Sequence, residues 1–228
     1  MKRHGKRFLA GLKTFSREKR YGVDEALTVL ATFPKAKFDE TVELAVRLGV
    51  DPGKTDQSIR GSISLPKGIG KARSVIVFAE GDLAAQCTDE GALAVGGADL
   101  AKKVEDGWTD FDVAIAHPSM MRFVGKLGKV LGPLGKMPSP KSGTVTDQVV
   151  AAVREFRAGK IEFRSDPAGN VQVGLGKRSF SAADLKANVE AFVEHLRGLR
   201  PASVKGTYIR KVTLSSTMSP GVILDIQG

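Results

Sequence analysis

The spacing of apolar residues changes period several times along this chain. Phe8, Leu12 and Phe15 recur at helical spacing and predict an amphipathic helix in the N-terminal segment. A second helix is expected from Asp24, a residue suited to N-capping. It carries Ala26, Leu27, Leu30 and Phe33 on one face and stops at Pro34. The period then becomes two. Phe38, Val42, Leu44, Val46 and Leu48 share one face, and Asp39, Thr41, Glu43 and Arg47 share the other, which predicts a strand buried on one side. Ile59, Ile63 and Leu65 alternate with Ser58, Arg60, Ser62 and Ser64 in a second such strand, with DPGKTDQ between the two as a hairpin loop.

After Pro66-Lys67-Gly68-Ile69-Gly70 the pattern changes to short uninterrupted apolar runs, Val75–Phe78, Ala92–Val95 and Val113–Ala116, separated by segments of helical character. That alternation marks βα units around a parallel sheet covered on both faces. A helix over 147–158 follows, capped by Asp147, with Val149, Val153 and Phe156 inward, and it ends at Gly159. From Lys160 the two-residue period returns in KIEFR, then the turn-rich DPAGN, then VQVGLGK. A long helix has Ser181 as its cap and Leu185, Val189, Phe192, Val193 and Leu196 as its stripe. GTYIRKVTLSST and GVILDI close the chain as strands. The ends share one grammar and the middle another, which suggests a discontinuous domain interrupted by an inserted one.

With 228 residues, 42% hydrophobic and 26% charged, the chain can bury a sizeable core in one or two domains. No apolar run approaches the roughly 20 residues needed to cross a bilayer. The basic MKRHGKRFLAGLK start lacks the apolar stretch of a secretory signal. Cys87 is the single cysteine, which excludes an intramolecular disulfide and any multi-cysteine metal site. These features predict a cytoplasmic protein with no membrane partner and no cofactor.

Formal net charge is +10 and unevenly placed. Lys2, Arg3, Lys6, Arg7, Lys13, Arg17, Lys19 and Arg20 face one acid, Glu18, in the first twenty residues. Arg122, Lys126, Lys129, Lys136, Lys141, Arg154, Arg157 and Lys160 form a second group, and Arg197, Arg200, Lys205, Arg210 and Lys211 a third. Any one group reads as a solvated face; three in one chain favour contact with phosphates. The loop LGPLGKMPSPKSGTV, Leu131–Val145, combines three glycines, three prolines, Lys136 and Lys141 without an acid. Such a stiff cationic loop suits a polyanion surface, and it also suits an ordinary surface connection.

Enzyme chemistry finds little support. GVDPGKT, Gly49–Thr55, is one residue short of a nucleotidase phosphate loop and leads into a strand rather than a helix. Gly68-Ile69-Gly70 and Gly174-Leu175-Gly176 lack the third glycine of a dinucleotide fingerprint. His4, His117 and His195 lie far apart, and none has a second ligand at metal spacing. Cys87 has no basic neighbour and reads as a small buried residue. A small-molecule enzyme or nucleotide binder using the α/β insert stays open as a rival, as does a general RNA chaperone.

Several segments, in order, resemble the family of bacterial large-ribosomal-subunit proteins of the mobile side stalk, the ribosomal L-one proteins. They are HGKR at 4–7, KFDETVEL at 37–44, IRGSISLP at 59–66, DGWTDFD at 106–112, the LGPLGKMPSPKSGTV loop, KIEFRSD at 160–166 and STMSP at 216–220. The similarity spans essentially the whole chain. It implies two domains: residues 1–66 with 160–228 as a discontinuous two-layer α+β domain with an antiparallel sheet, and residues 67–159 as an inserted Rossmann-like three-layer α/β domain. Hinges would fall near Pro66–Gly70 and Gly159. The resemblance implies a non-enzymatic constituent of the large subunit, monomeric outside the ribosome. It would bind the stalk region of large-subunit ribosomal RNA near the tRNA exit site, assist release of deacylated tRNA, and repress translation of its own operon messenger RNA.

The residues that the family motif selects are Lys37, Phe38, Thr41, Arg164, Ser165, Thr217, Met218 and Ser219, with Lys136 and Lys141 as auxiliary contacts. Lys37 and Arg164 would hold phosphates. Phe38, Thr41, Thr217 and Met218 would present hydroxyls, apolar plates and backbone groups to a shallow A-form minor groove, which is read largely by shape. Core packing is the competing role for Phe38, and a cross-strand pair for Thr217. The chain departs from the family pattern at Ser219, where glycine is usual, at Leu134, where arginine is, and at Ser139 and Ser165, where asparagine is.

Overall fold

Burial along β1, Thr41–Leu48, alternates strictly: Val42, Leu44, Val46 and Leu48 are buried while Glu43 and Arg47 stay exposed. The computed structural model describes residues 5–51 and 53–226; Lys2, Arg3 and His4 lie outside them. The elements in chain order are α1 (Lys6–Leu12), α2 (Val23–Thr32), β1, β2 (Arg60–Ser64), β3 (Val75–Phe78), α3 (Asp82–Asp89), β4 (Ala94–Gly96), α4 (Ala98–Glu105), β5 (Val113–Ala116), α5 (Met121–Val124), α6 (Gly128–Leu131), α7 (Val149–Ala158), β6 (Lys160–Arg164), β7 (Asn170–Lys177), α8 (Ala182–Gly198), β8 (Ile209–Ser216) and β9 (Val222–Leu224).

The chain divides into two units, one holding residues up to Gly70 and from Phe163 onward, the other Lys71–Glu162. The division falls four and three residues later than the boundaries read from the sequence. Asn188, fully buried on α8, accounts for the first difference: it accepts the Lys67 N–H at 3.1 Å and donates to the Gly68 and Leu175 carbonyls at 3.0 and 2.8 Å. The start of the connecting segment is thereby fastened to the first unit. At the second boundary, Lys160 pairs with Glu155 at 2.7 Å and lies 5.2 Å from the Phe156 ring, which keeps the start of β6 with α7.

In the first unit an antiparallel sheet runs in the order β7-β1-β8-β9. The buried face of the sheet meets Leu27 and Leu30 of α2 and the Leu185–Leu196 stripe of α8, so the unit has two layers. The opposite face carries Thr41, Glu43, Ala45 and Arg47 of β1 beside Thr213 and Ser215 of β8 and Gln172 and Gly174 of β7, all at least partly open. DPGKTDQ is not a hairpin: β1 pairs with β7 and β8, while β2 pairs with β6. Local turn residues suggested a return, but the neighbours of β1 are strands more than 120 residues later, which no local pattern encodes.

The second unit has a parallel sheet in the order β4-β3-β5. Every residue of β3 and β5 is buried, as uninterrupted apolar runs require. Val75, Val77, Val113 and Ile115 face α3 and α7; Ile76, Phe78, Ala114 and Ala116 face α4, α5 and α6, which completes three layers. β4 begins two residues later than expected and is half-buried, because it forms the edge.

Helix starts differ in detail from expectation. Gly22, not Asp24, precedes α2; Asp24 sits in its first turn, where a carboxylate complements the helix dipole, and its Oδ2 lies 2.6 Å from Lys186. Gln148 rather than Asp147 caps α7, while Gly159 ends it at φ +116°, a left-handed conformation that glycine adopts without strain. Ser181 caps α8 as expected, accepting the Asp184 N–H at 3.1 Å. α1 stops at Leu12; Phe15 lies past it and packs on Phe33 and Tyr21, at ring-centroid distances of 5.4 and 6.3 Å.

Candidate functional site

Thr41 opens β1 and Thr217 follows the last residue of β8, 176 positions later, and the two are locked together. The Thr217 hydroxyl accepts the Thr41 N–H at 3.0 Å, and the Thr217 N–H donates to the Thr41 carbonyl at 3.0 Å. The Thr41 hydroxyl accepts from Lys177 Nζ at 2.9 Å, which leaves its own proton free to donate. Thr217 is exposed and Thr41 half-buried. Two hydroxyls thus stand at fixed positions on one rim of the sheet, with an ammonium group beside them.

Two large apolar side chains stand open on the segments that flank this lock. Phe38 is 55% and Met218 53% exposed, so the core-packing role for Phe38 is excluded. The two-residue period that placed Phe38 with Val42 breaks at its start, since β1 begins only at Thr41. Lys37 is exposed next to Phe38. Residues 33–40 form no helix or strand, so other contacts must hold this segment. Asp39 accepts the Ser179 N–H and hydroxyl at 3.2 and 2.7 Å.

Glu40, 1% exposed, is the centre that the sequence reading missed. Its carboxylate accepts the Ala36 N–H at 2.8 Å, the Ser216 hydroxyl, the Met218 N–H at 3.4 Å and Arg178 Nη1 at 3.3 Å, with Arg7 Nη2 at 3.6 Å. Burial pushes this acid up, but the Ser216 hydroxyl, the two N–H groups and the Arg178 charge outweigh it and hold Glu40 below the usual carboxylate range. Arg178 also donates to the Leu30, Ala31 and Phe33 carbonyls, covering the end of α2. A signal for Glu40 did exist: it interrupts the apolar alternation of Phe38, Val42 and Leu44 with an acid on the buried side.

Ser219 departs from the expected glycine without strain, because no residue but glycine takes a positive φ among those described. Its hydroxyl accepts the Ser216 N–H at 2.8 Å and its N–H donates to the Ser216 carbonyl at 3.0 Å, so it closes the turn and its side chain is spent. Ser165, expected as a contact, is 8% exposed and accepts the Ile59 N–H at 3.2 Å; it fastens β6 rather than facing outward. Arg164 is exposed, and strand alternation turns it away from Ser165. The register Ser165–Val171–Val46 puts Ser165 five residues along the sheet from Thr41 and Arg164 four, about 13 Å at the usual strand rise. The expected residues therefore fall in two places, with Lys37, Phe38, Thr41, Thr217 and Met218 at one rim and Arg164 farther along the sheet.

In the second unit, Lys136 is not free for a partner. Its Nζ donates to the Thr109 and Phe111 carbonyls at 2.9 and 2.6 Å and lies 5.1 Å from the Phe111 ring centre, so it anchors the loop. Lys141 is exposed, as are Arg122, Lys126 and Lys129, which lie opposite the buried Val124, Leu127 and Leu131. Leu134, at the loop tip, is 50% exposed.

Features that suggested enzyme chemistry resolve into local structure. His117 Nδ1 meets the Ser119 hydroxyl at 2.7 Å and accepts the Ser119 N–H, a cap on the turn after β5, while its Nε2 lies 3.6 Å from Asp147. Asp147 is 85% exposed, too solvated to orient a base. Burial, and then the Glu90 charge, push the Cys87 thiol up, which keeps it inert. No cluster of metal-binding side chains occurs among the described residues.

Residues 30–220 match the model of the ribosomal protein L1p/L10e family. The chain is 52% identical over 225 residues to the large ribosomal subunit protein uL1 of Chlamydia trachomatis serovar D, covering 99% of this chain and 97% of that protein. Identity to the uL1 protein of Chlamydia caviae is 49%, with the same coverage. To that of Kosmotoga olearia it is 46% over 227 residues, 100% of this chain and 98% of the relative.

Proposed function

This chain belongs to the ribosomal protein L1p/L10e family, a family of structural, non-enzymatic ribosomal proteins, and we propose that it grips the stalk region of large-subunit ribosomal RNA through the sheet rim at Thr41 and Thr217. It is a structural constituent of the large ribosomal subunit and therefore acts in the cytoplasm, in translation. The observation that carries the finer reading is the pair of exposed apolar side chains, Phe38 and Met218, beside two hydroxyls held in place by backbone hydrogen bonds. Rigid short polar groups with apolar plates suit a wide, shallow minor groove lined with 2′-hydroxyls. Lys37 and Lys177 supply charge at this rim and Arg164 farther along the sheet, and a folded RNA is long enough to meet both.

The inserted domain, with Lys141, Arg122, Lys126 and Lys129 outward, takes the secondary role of touching deacylated tRNA in the exit site and assisting its release. The same rim binds a similar fold in the chain's own operon messenger RNA and so represses its translation. Outside the ribosome the protein is a monomer. The direct test is filter binding of the full chain to a stalk transcript against an unrelated duplex of equal length. Preference for the stalk transcript at moderate salt supports this reading. Equal affinity for both would leave a general RNA chaperone, and no affinity for either would end it.

A further inference from the structure

Lys37 and Phe38 sit on a segment without regular structure, while Thr217 and Met218 sit on a turn more than 170 residues away. Beside the Thr41–Thr217 bonds, one carboxylate joins the two. Glu40 accepts from Ala36, two positions before Phe38, and from Ser216 and Met218, on both sides of Thr217. With Arg178 also donating, its lone pairs are engaged. We propose that Glu40 is a positioning residue for RNA: its carboxylate fixes the Lys37–Phe38 segment against the Thr217–Met218 turn, so that four contact groups keep one mutual geometry before RNA arrives.

This inference rests on the RNA-contact reading of the same rim. Its independent support is the oddity of the site. An acid buried on the face of the chain that Val42 and Leu44 continue is a poor way to add stability, because an apolar side chain of similar volume serves as well or better. What the acid adds is direction. Its oxygens fix two N–H groups, a hydroxyl and a guanidinium at set angles, whereas apolar packing would let the loop and the turn slide. Because Glu40 itself is buried, its effect on RNA must pass through the groups it holds.

The experiment uses full-length Glu40→Gln, Ser216→Ala and Thr217→Val, titrated with a transcript of the stalk hairpin and with an unrelated duplex. Amide exchange is followed at Ala36 and Met218. Glu40→Gln keeps the volume but puts donors where two donors already point. Its affinity for the stalk transcript should fall at least tenfold, with duplex affinity and salt slope unchanged, since no phosphate contact is removed. Ser216→Ala, which removes one donor to the carboxylate, should lose severalfold, and exchange at Met218 should quicken in both. If Glu40→Gln does not fold, Ser216→Ala with its exchange rates decides. Wild-type stalk affinity in the folded variants, with Thr217→Val weakened, overturns the positioning role alone. Wild-type affinity in Thr217→Val as well overturns the contact reading, and this inference with it.

Discussion

Three hydrogen bonds join Thr41 and Thr217: one N–H meets the other's hydroxyl and one N–H meets the other's carbonyl, both at 3.0 Å, and the Thr217 hydroxyl donates to that same Thr41 carbonyl at 3.4 Å. That set of bonds brings two segments 176 residues apart to one rim and leaves the Thr41 hydroxyl proton and a lone pair of the Thr217 hydroxyl for a partner.

Replacing Thr217 by Val removes the acceptor of the Thr41 N–H in an exposed setting where water can substitute. The fold should lose no more than about 1 kcal/mol in urea denaturation. Stalk-transcript binding should weaken by more, about 1–3 kcal/mol, as an unmade buried hydrogen bond costs. Thr217→Ser, which keeps the oxygen, should restore most of it. Equal affinities for the Val and Ser variants would exclude the hydroxyl.

Phe38→Ala and Met218→Ala separate binding from stability by exposure alone. More than half of each side chain faces solvent, so the melting transition should stay within about 0.5 kcal/mol of wild type. Loss of an aromatic plate for bases should cost Phe38→Ala about 1–3 kcal/mol in filter binding. A large loss of stability with RNA affinity intact would give Phe38 a packing role after all.

Lys136 and Lys141 should diverge. Lys136→Ala strips charge-assisted bonds from two carbonyls and should destabilise the second unit by about 1–2 kcal/mol, leaving the salt dependence of RNA binding as it was. Lys141→Ala should leave stability alone and reduce the log–log salt slope by about 0.7–0.9 if its charge meets a phosphate. Calorimetry and a salt series distinguish the two.

Acid should loosen the rim. Folding holds Glu40 below its unfolded value of 4.5, so its contribution is complete above that value and drains away as pH falls through the lower folded one. Asp112 behaves alike in the second unit: burial opposes its charge, but the Ser74 N–H, Lys71 and the Ser74 hydroxyl outweigh burial. Stability in urea should therefore hold from neutral pH to about 5 and decline below about 4. In Glu40→Gln that decline should be shallower; an identical acid limb would show that Glu40 does not contribute.

Periodicity by itself determined most of the elements. The alternation of β1, the apolar runs of β3 and β5, the stripe of α8 and the return of the β pattern after Gly159 are local consequences of which face must leave water, and they foretold a split domain around an α/β insert. KFDETVEL, the glycine-proline loop and STMSP pointed to the family, and so to Phe38, Thr41, Thr217 and Met218. Tertiary structure alone decided the partners of β1, the inward turn of Ser165 and Ser219, the anchoring of Lys136 and the placing of Arg164 away from the rim. It also made Glu40 the hub. Burial at a single residue is encoded by nearby spacing, whereas the donors that surround a carboxylate arrive from distant parts of the chain. Their convergence exists only once the sheet has closed.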